Sequence, residues 1–232
     1  MHGDPLRQAL ILLALAAAAF AVFGLWPGLD LRVSGLFFDP VTGFSAYATG
    51  GWNLLRLAIW RLCEFVLAFS ILACLASLAA PFPLLRATRR LWPFIATLFI
   101  LGPGILADFT LKRLWGRARP ADVTEFGGPL DFTPPHVIAR QCTGNCSFVS
   151  GEVSGTVALS IALLLLLDRI RTQISPAAYR NAKVIILLLP LYVAFQRIAA
   201  GRHFLSDAIF AALLVLLCAV VLKSLILLPR RR

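Results

Sequence analysis

His203 and Asp207 stand four residues apart in "GRHFLSDA", at the head of a long apolar run. On a helix, positions four apart share a face. A carboxylate so placed accepts the proton of one ring nitrogen and leaves the other with a free lone pair, the form in which imidazole acts as a nucleophile or base. Taken alone, the pair is equally an ion pair at a helix start. Arg197 lies six residues before His203, across the "AAG" turn, and Arg202 adjoins the histidine. Upstream, "KRLWGRARP" sets Lys112 and Arg119 seven residues apart. That spacing is two helical turns, hence one face, before Pro120 stops the helix. A guanidinium fork matches phosphate oxygens in pairs, and lysine adds a point charge. Juxtamembrane anchoring would account for Lys112 and Arg119 by themselves. Three convergent cations at a membrane edge ask for a strong anion. Between these clusters, "NCSFVSGEVSG" offers Ser147 or Ser150 as a helix cap and Gly151 as a site of close backbone approach. The free N–H groups of a helix start also bind phosphate.

Bringing these stretches together is a matter of counting spans. The chain has 232 residues, 59% of them hydrophobic, well above the roughly half expected of a soluble domain. Six apolar segments of about 17–25 residues can span or nearly span a bilayer. They run roughly over 6–26, 52–80, 91–111, 153–168, 184–200 and 204–228. The expectation is an all-α integral membrane bundle of six helices, one membrane-embedded domain over 1–232. The N-terminal segment lacks a small-x-small cleavage site and reads as a retained helix. The net charge of +11 falls in short clusters between apolar runs, as topology signals and headgroup contacts do, so nucleic acid is set aside as a partner. Pro81–Arg90, Arg169–Lys183, the "RRR" tail and Arg7 share one face by parity, the cytoplasmic one by the positive-inside tendency. Lys112, Arg113, Arg117, Arg119 and Arg140 then face outward against that bias, on the same surface as Arg197, His203 and Asp207. Another outward connection, "PGLDLRVSGLFFDPVTGF", reads as a structured link turning at Pro40 and Gly43; an amphipathic segment lying among headgroups is the alternative. Of five cysteines, Cys63, Cys74 and Cys218 lie inside apolar runs. Cys142 and Cys146, in "CTGNC", are a possible short disulfide if their loop meets an oxidising compartment. Neither a metal site nor a cofactor is expected, and no oligomeric state is assigned.

Lys112-x6-Arg119-Pro120, Ser150-Gly151 and Arg197-x5-His203-x3-Asp207 together resemble the three signatures of the type 2 phosphatidic acid phosphatase superfamily, in its integral membrane branch. The resemblance implies a metal-independent phosphoric ester hydrolase. In it His203 attacks phosphorus and carries a phosphohistidine, and Asp207 orients the ring. Lys112, Arg119 and Arg197 hold the phosphoryl oxygens with Ser150 and the Gly151 amide. The substrate implied is a lipid phosphate reached sideways from the bilayer. More loosely, "FTPP" before "CTGNCSFVSGE", with "LFFDPVTGF" in the first loop, is similar to bacterial lipid A 4'-phosphatases, which would put the protein in a bacterial inner membrane with its site facing the periplasm.

The sequence departs from the family pattern at two places. Glu152 stands where the family's middle signature has its general-acid histidine, and Gln196 where a serine precedes the third-signature arginine. Glu152 is the expected replacement acid, and His136 the other accessory candidate. A good leaving group would need neither. Undecaprenyl diphosphate and phosphatidylglycerol phosphate are alternative substrates. A lipid-to-lipid phosphotransferase and a non-catalytic lipid-phosphate binder are alternative activities.

Overall fold

The computed structural model describes residues 4–79 and 89–227. The first helix, α1 (Pro5–Leu25), opens with proline at its first position and the Asp4 carboxylate accepting the Leu6 N–H at 3.1 Å, the arrangement a helix start favours. Two short helices follow, α2 (Gly28–Gly35) and α3 (Ser45–Ala48), then the long α4 (Gly50–Ala79). Next, α5 (Leu91–Phe99) runs through a π-helical stretch, Ile100–Leu111, into α6 (Lys112–Trp115). Pro103 lies inside that stretch; a proline removes one ladder donor, and a widened helical turn absorbs the gap. The bundle is completed by α7 (Gly151–Arg169), α8 (Pro176–Ala199) and α9 (Leu205–Leu222).

Among the described residues, six helical stretches are long and apolar enough to cross a membrane: Pro5–Leu25, Gly50–Ser77, Leu91–Asp122, Gly151–Arg169, Pro176–Ala199 and Leu205–Leu227. No β-strand occurs among the described residues. The protein is a multi-pass, all-α membrane protein, as the apolar pattern indicates. One boundary moves substantially: α8 begins at Pro176, capped by Ser175, whose hydroxyl accepts the Ala178 N–H at 3.2 Å. Much of the basic connection between Arg169 and Lys183 is therefore helix, because a cap and a first-position proline outweigh the polarity that marks it as a loop. Most of the Pro81–Arg90 connection, the last residues of the expected second and sixth spans, and the arginine tail lie outside the described residues.

The innermost span is α7. Its small residues Ser154, Gly155, Ala158 and Ala162 are buried and let neighbouring helices approach, as packing between membrane helices requires. A methyl group at Gly155 would already press on the Trp60 ring of α4, at 3.3 Å. By contrast, α1 packs on α9 and leaves Leu6, Leu10, Ile11, Leu13 and Leu15 exposed. In a bilayer that surface meets lipid at no cost.

Two expected helical spacings are replaced by loops. Gly116 ends α6 in the left-handed conformation, φ +60°, and its carbonyl accepts from Gln141 and Cys142 N–H at 3.0 and 3.1 Å. Arg119 is thus in extended backbone, not two helical turns beyond Lys112. His203 likewise precedes α9. It sits in a tight turn where the Arg202 and His203 N–H groups both reach the Arg197 carbonyl, at 3.0 and 3.3 Å. Gly201, at φ +64°, makes that turn possible. A Cβ there would overlap the Phe44 ring, and the Gly201 carbonyl accepts the Ala121 N–H at 3.0 Å, joining the two loops. Gly201→Ala should therefore cost about 1–3 kcal/mol for a left-handed non-glycine residue, and more for the overlap. The expected outcome is a lower Tm in detergent and reduced activity, checked by thermal unfolding.

Candidate active site

His203 is buried, and its Nδ1 lies 2.8 Å from the Ser147 carbonyl oxygen. A carbonyl only accepts, so Nδ1 carries the proton and Nε2 keeps its lone pair. The Asp207 carboxylate stands 3.8 Å from Nδ1, beyond hydrogen-bond range. It accepts instead from the Phe204 N–H at 2.8 Å and from the Ser147 hydroxyl. The carboxylate thus holds the residues on either side of the ring, and a backbone carbonyl sets the tautomer. Burial holds the His203 imidazole below the ordinary histidine value. The Asp207 charge opposes that shift, and Lys112 and Arg119 add to it. That direction favours the neutral ring, the form a nitrogen nucleophile requires.

Asp207 is itself fixed by Arg117, the largest fully buried side chain among the described residues. Its Nη1 lies 2.6 Å from Asp207 Oδ1 and 2.8 Å from the Ser206 hydroxyl. Nη2 lies 2.8 Å from Asp30 Oδ2, and Nε donates to the Thr133 carbonyl at 2.8 Å. The Phe204 ring covers the guanidinium 4.4 Å from its centre. Asp30, on α2, also accepts the Ser206 N–H at 2.9 Å. Burial raises the Asp30 carboxyl above the ordinary carboxylate range, and the Asp207 charge adds to that, against Arg117.

The other cations gather around the loop before α7. Lys112 Nζ lies 2.6 Å from Asp108 Oδ1 and 3.4 Å from Asn145 Oδ1. Arg119 Nη2 donates to the Asn145 carbonyl, and its buried Nε–H has no partner among the described residues. Arg197 Nη1 lies 3.1 Å from Glu152 Oε1, while Arg56 of α4 takes Glu152 Oε2 at 2.9 Å. Ser150 caps α7 through the Val153 N–H, at 3.4 Å. Gly151 is packed so closely that a Cβ would strike Asp108 and approach Lys112 Nζ to 2.9 Å. A cleft of about 550 Å³ opens beside this group, lined in part by Arg56, Trp60, Asp108, Lys112, Asn145 and Glu152.

Lys112, Arg119, Ser150, Gly151, Glu152, Arg197, His203 and Asp207 therefore meet from three stretches of the chain. Arg202 is exposed on the turn beside them, where its charge reaches Arg119. His136 does not join them: it is exposed, and its ring lies against Gly24 of α1. Cys142 and Cys146 are joined, with Cα atoms 5.7 Å apart, in the loop that presents Asn145. Among the described residues, no group of three or more His, Cys, Asp or Glu side chains converges as a metal site would.

Residues 90–230 match the PAP2 superfamily. The chain belongs to the PAP2 superfamily. It is 34% identical over 223 residues to a lipid A 4'-phosphatase of Rhizobium etli, covering 86% of this chain and 83% of that one. It is 31% identical to the lipid A 4'-phosphatase of Francisella tularensis subsp. novicida, over 93% and 95% of the two chains. A transmembrane PAP2-type phosphatidylglycerolphosphate phosphatase from Bacillus subtilis shares the fold, with TM-score 0.56, 18% identity and 98% of each chain covered. The protein is accordingly a membrane lipid phosphatase of this superfamily.

Arg117, Asp30, Arg56, Asp108, Asn145 and the Ser147 carbonyl are site features the sequence did not single out. Arg117 carried the one available signal, an arginine inside the first signature. Removing one partner of a buried ion pair costs about 3–5 kcal/mol. Asp30→Asn and Arg117→Met should each destabilise the protein on that order. In the Arg117→Met background, Asp30→Asn should add much less, because the two share one interaction. A double-mutant cycle in thermal or denaturant unfolding measures the coupling.

Proposed function

We propose that this chain removes the 4'-phosphate of lipid A at the periplasmic face of a bacterial inner membrane, through a phosphohistidine at His203, the whole chain acting as one membrane-embedded phosphatase. The observation that carries this reading is the buried imidazole, its Nδ1 bonded to the Ser147 carbonyl and its Nε2 left free, set among Lys112, Arg119 and Arg197. The named relatives support the substrate. The outward orientation rests on the parity of six spans and on the basic connections opposite the site.

In the first step the Nε2 lone pair forms a bond to phosphorus. The phosphorus–oxygen bond to the sugar breaks, and that oxygen takes up a proton. Lys112, Arg119, Arg197 and the unpartnered Arg119 Nε–H meet the phosphoryl oxygens, where charge spreads as the bond loosens. In the second step water attacks phosphorus, the phosphorus–nitrogen bond breaks, and inorganic phosphate leaves. Asp207 stabilises the ring's positive charge from 3.8 Å. Glu152 is the carboxyl near enough to serve the leaving oxygen. Both its oxygens accept from guanidinium groups in the resting site, so it relays a proton from water to the leaving oxygen only after the phosphate has taken Arg197 from it.

Purified protein should release phosphate from lipid A in mixed micelles without added metal. His203→Ala should lower that rate at least about a thousandfold, as loss of a nucleophile does. Radiolabelled phosphate should be trapped on the parent and not on the variant; turnover retained by His203→Ala would reject the assignment. The acid limb of the pH–rate profile should fall below the ordinary histidine value, because the folded-state shift is downward and only the neutral ring attacks. Asp207→Asn removes the charge that favours imidazolium, so the limb should move lower still as kcat drops.

A further inference from the structure

We propose that Asp108 and Glu152 are specificity-determining carboxylates, which keep the phosphate-binding cations closed to phosphodiester headgroups and yield to a phosphomonoester. This deepens the reading above and rests on it for the identity of the substrate. Two of the three phosphoryl-binding cations of that reading are answered by an internal carboxylate: Lys112 by Asp108 at 2.6 Å and Arg197 by Glu152 at 3.1 Å. Arg56 holds the far oxygen of Glu152 at 2.9 Å, so this carboxylate is braced in place. The carboxylates stand on the cleft side. Asp108 and Glu152 are 43% and 23% exposed, against 11%, 10% and 14% for Lys112, Arg197 and Arg56. Any headgroup entering the cleft meets the acids first.

The Lys112–Asp108 pair is also built to open. Asp108 Oδ1 has close approach to Lys112 Nζ without a hydrogen bond of its own, so it is held by charge rather than direction. Gly151 lets the pair sit against the start of α7, since any side chain there would collide with Asp108. A phosphodiester headgroup brings one negative charge, the same as the carboxylate it would replace. It must also compete with a group tethered at high effective concentration. A phosphomonoester brings about 1.5 to 2 negative charges and three terminal oxygens, enough to engage Lys112, Arg119 and Arg197 at once. Discrimination then comes from a built-in opposing element rather than from added attraction. A cation cluster at headgroup level needs such an element, because diester headgroups surround it.

The test uses the full chain in dodecyl maltoside micelles, with a lipid phosphomonoester as substrate and phosphatidylglycerol as competitor. The parent rate should change little when the competitor equals the substrate. Asp108→Asn and Glu152→Gln should be inhibited at lower competitor levels, by up to about fivefold, the size expected for one partly exposed ion pair. Glu152→Asp keeps the charge and should keep most of the resistance. A loss of kcat in Glu152→Gln with unchanged competitor sensitivity would overturn the proposal and leave Glu152 as an acid alone. A second measurement needs no turnover: phosphatidylglycerol displaceable by orthovanadate, counted by native mass spectrometry on the His203→Ala background. The carboxylate variants should retain several times more, and equal retention would overturn the proposal. A parent inactive on every lipid phosphomonoester would refute the substrate reading, while this retention measurement would still decide the role of the carboxylates.

Discussion

Arg117 carries a charge that no water reaches, and much of the site is arranged around that fact. A guanidinium sealed from solvent needs several acceptors and counter-charge close by. It finds them on three separate pieces of chain: Asp30 on α2, the Thr133 carbonyl in the long loop, and Ser206 with Asp207 at the head of α9. Each bond fixes one of those pieces relative to the others. Such a buried cluster contributes little net stability compared with an apolar core of the same shape. What it contributes here is position. Asp207 cannot drift, so the Phe204 N–H and Ser147 hydroxyl that it binds cannot drift either, and Ser147 is the residue whose carbonyl orients the imidazole.

A second balance operates one layer outward. Arg56, Lys112, Arg119 and Arg197 would repel one another if unanswered, and the fold answers them in two ways. Carboxylates meet Lys112, Arg197 and Arg56, and a loop amide and carbonyl at Asn145 meet Lys112 and Arg119. The substitution of glutamate for the family's histidine at position 152 fits this balance. Arg56 supplies a further cation from α4, and an acid at 152 bridges it to Arg197 and offsets one of the two charges. A neutral imidazole there would leave two guanidinium groups facing each other.

Composition was enough for the fold class, because an apolar stretch that crosses lipid has few structural options other than a helix. It was weaker on boundaries. Pro176 and Ser175 start α8 well before the hydropathy rises, since capping is a local hydrogen-bond event that apolarity does not register. The site divided in the same way. Residues with signature spacing were legible, whereas Asp30, Arg56 and Asp108 were not. The partners of Asp30 and Arg56 lie on distant elements, and Asp108, though only four residues before Lys112, sits in a π-helical stretch that the sequence does not display. His136 was drawn in by residue type alone, and its position over Gly24 shows how little residue type says about place.

The spacings that were most informative were so for a reason other than the one helical geometry supplies. Lys112 and Arg119 do not share a helical face, because Gly116 breaks the helix between them. His203 and Asp207 do not share one either, because α9 begins after the histidine. Both pairs nevertheless close on one site. Seven residues is the contour needed to leave α6 at Gly116, turn, and bring Arg119 back to the same Asn145 that Lys112 touches. Four residues is what lets a carboxylate in the first turn of α9 cap the Phe204 N–H and still face the ring before it. The intervals record the path of backbone around the site. In such a path the turn glycines are as much a part of the signature as the charged side chains.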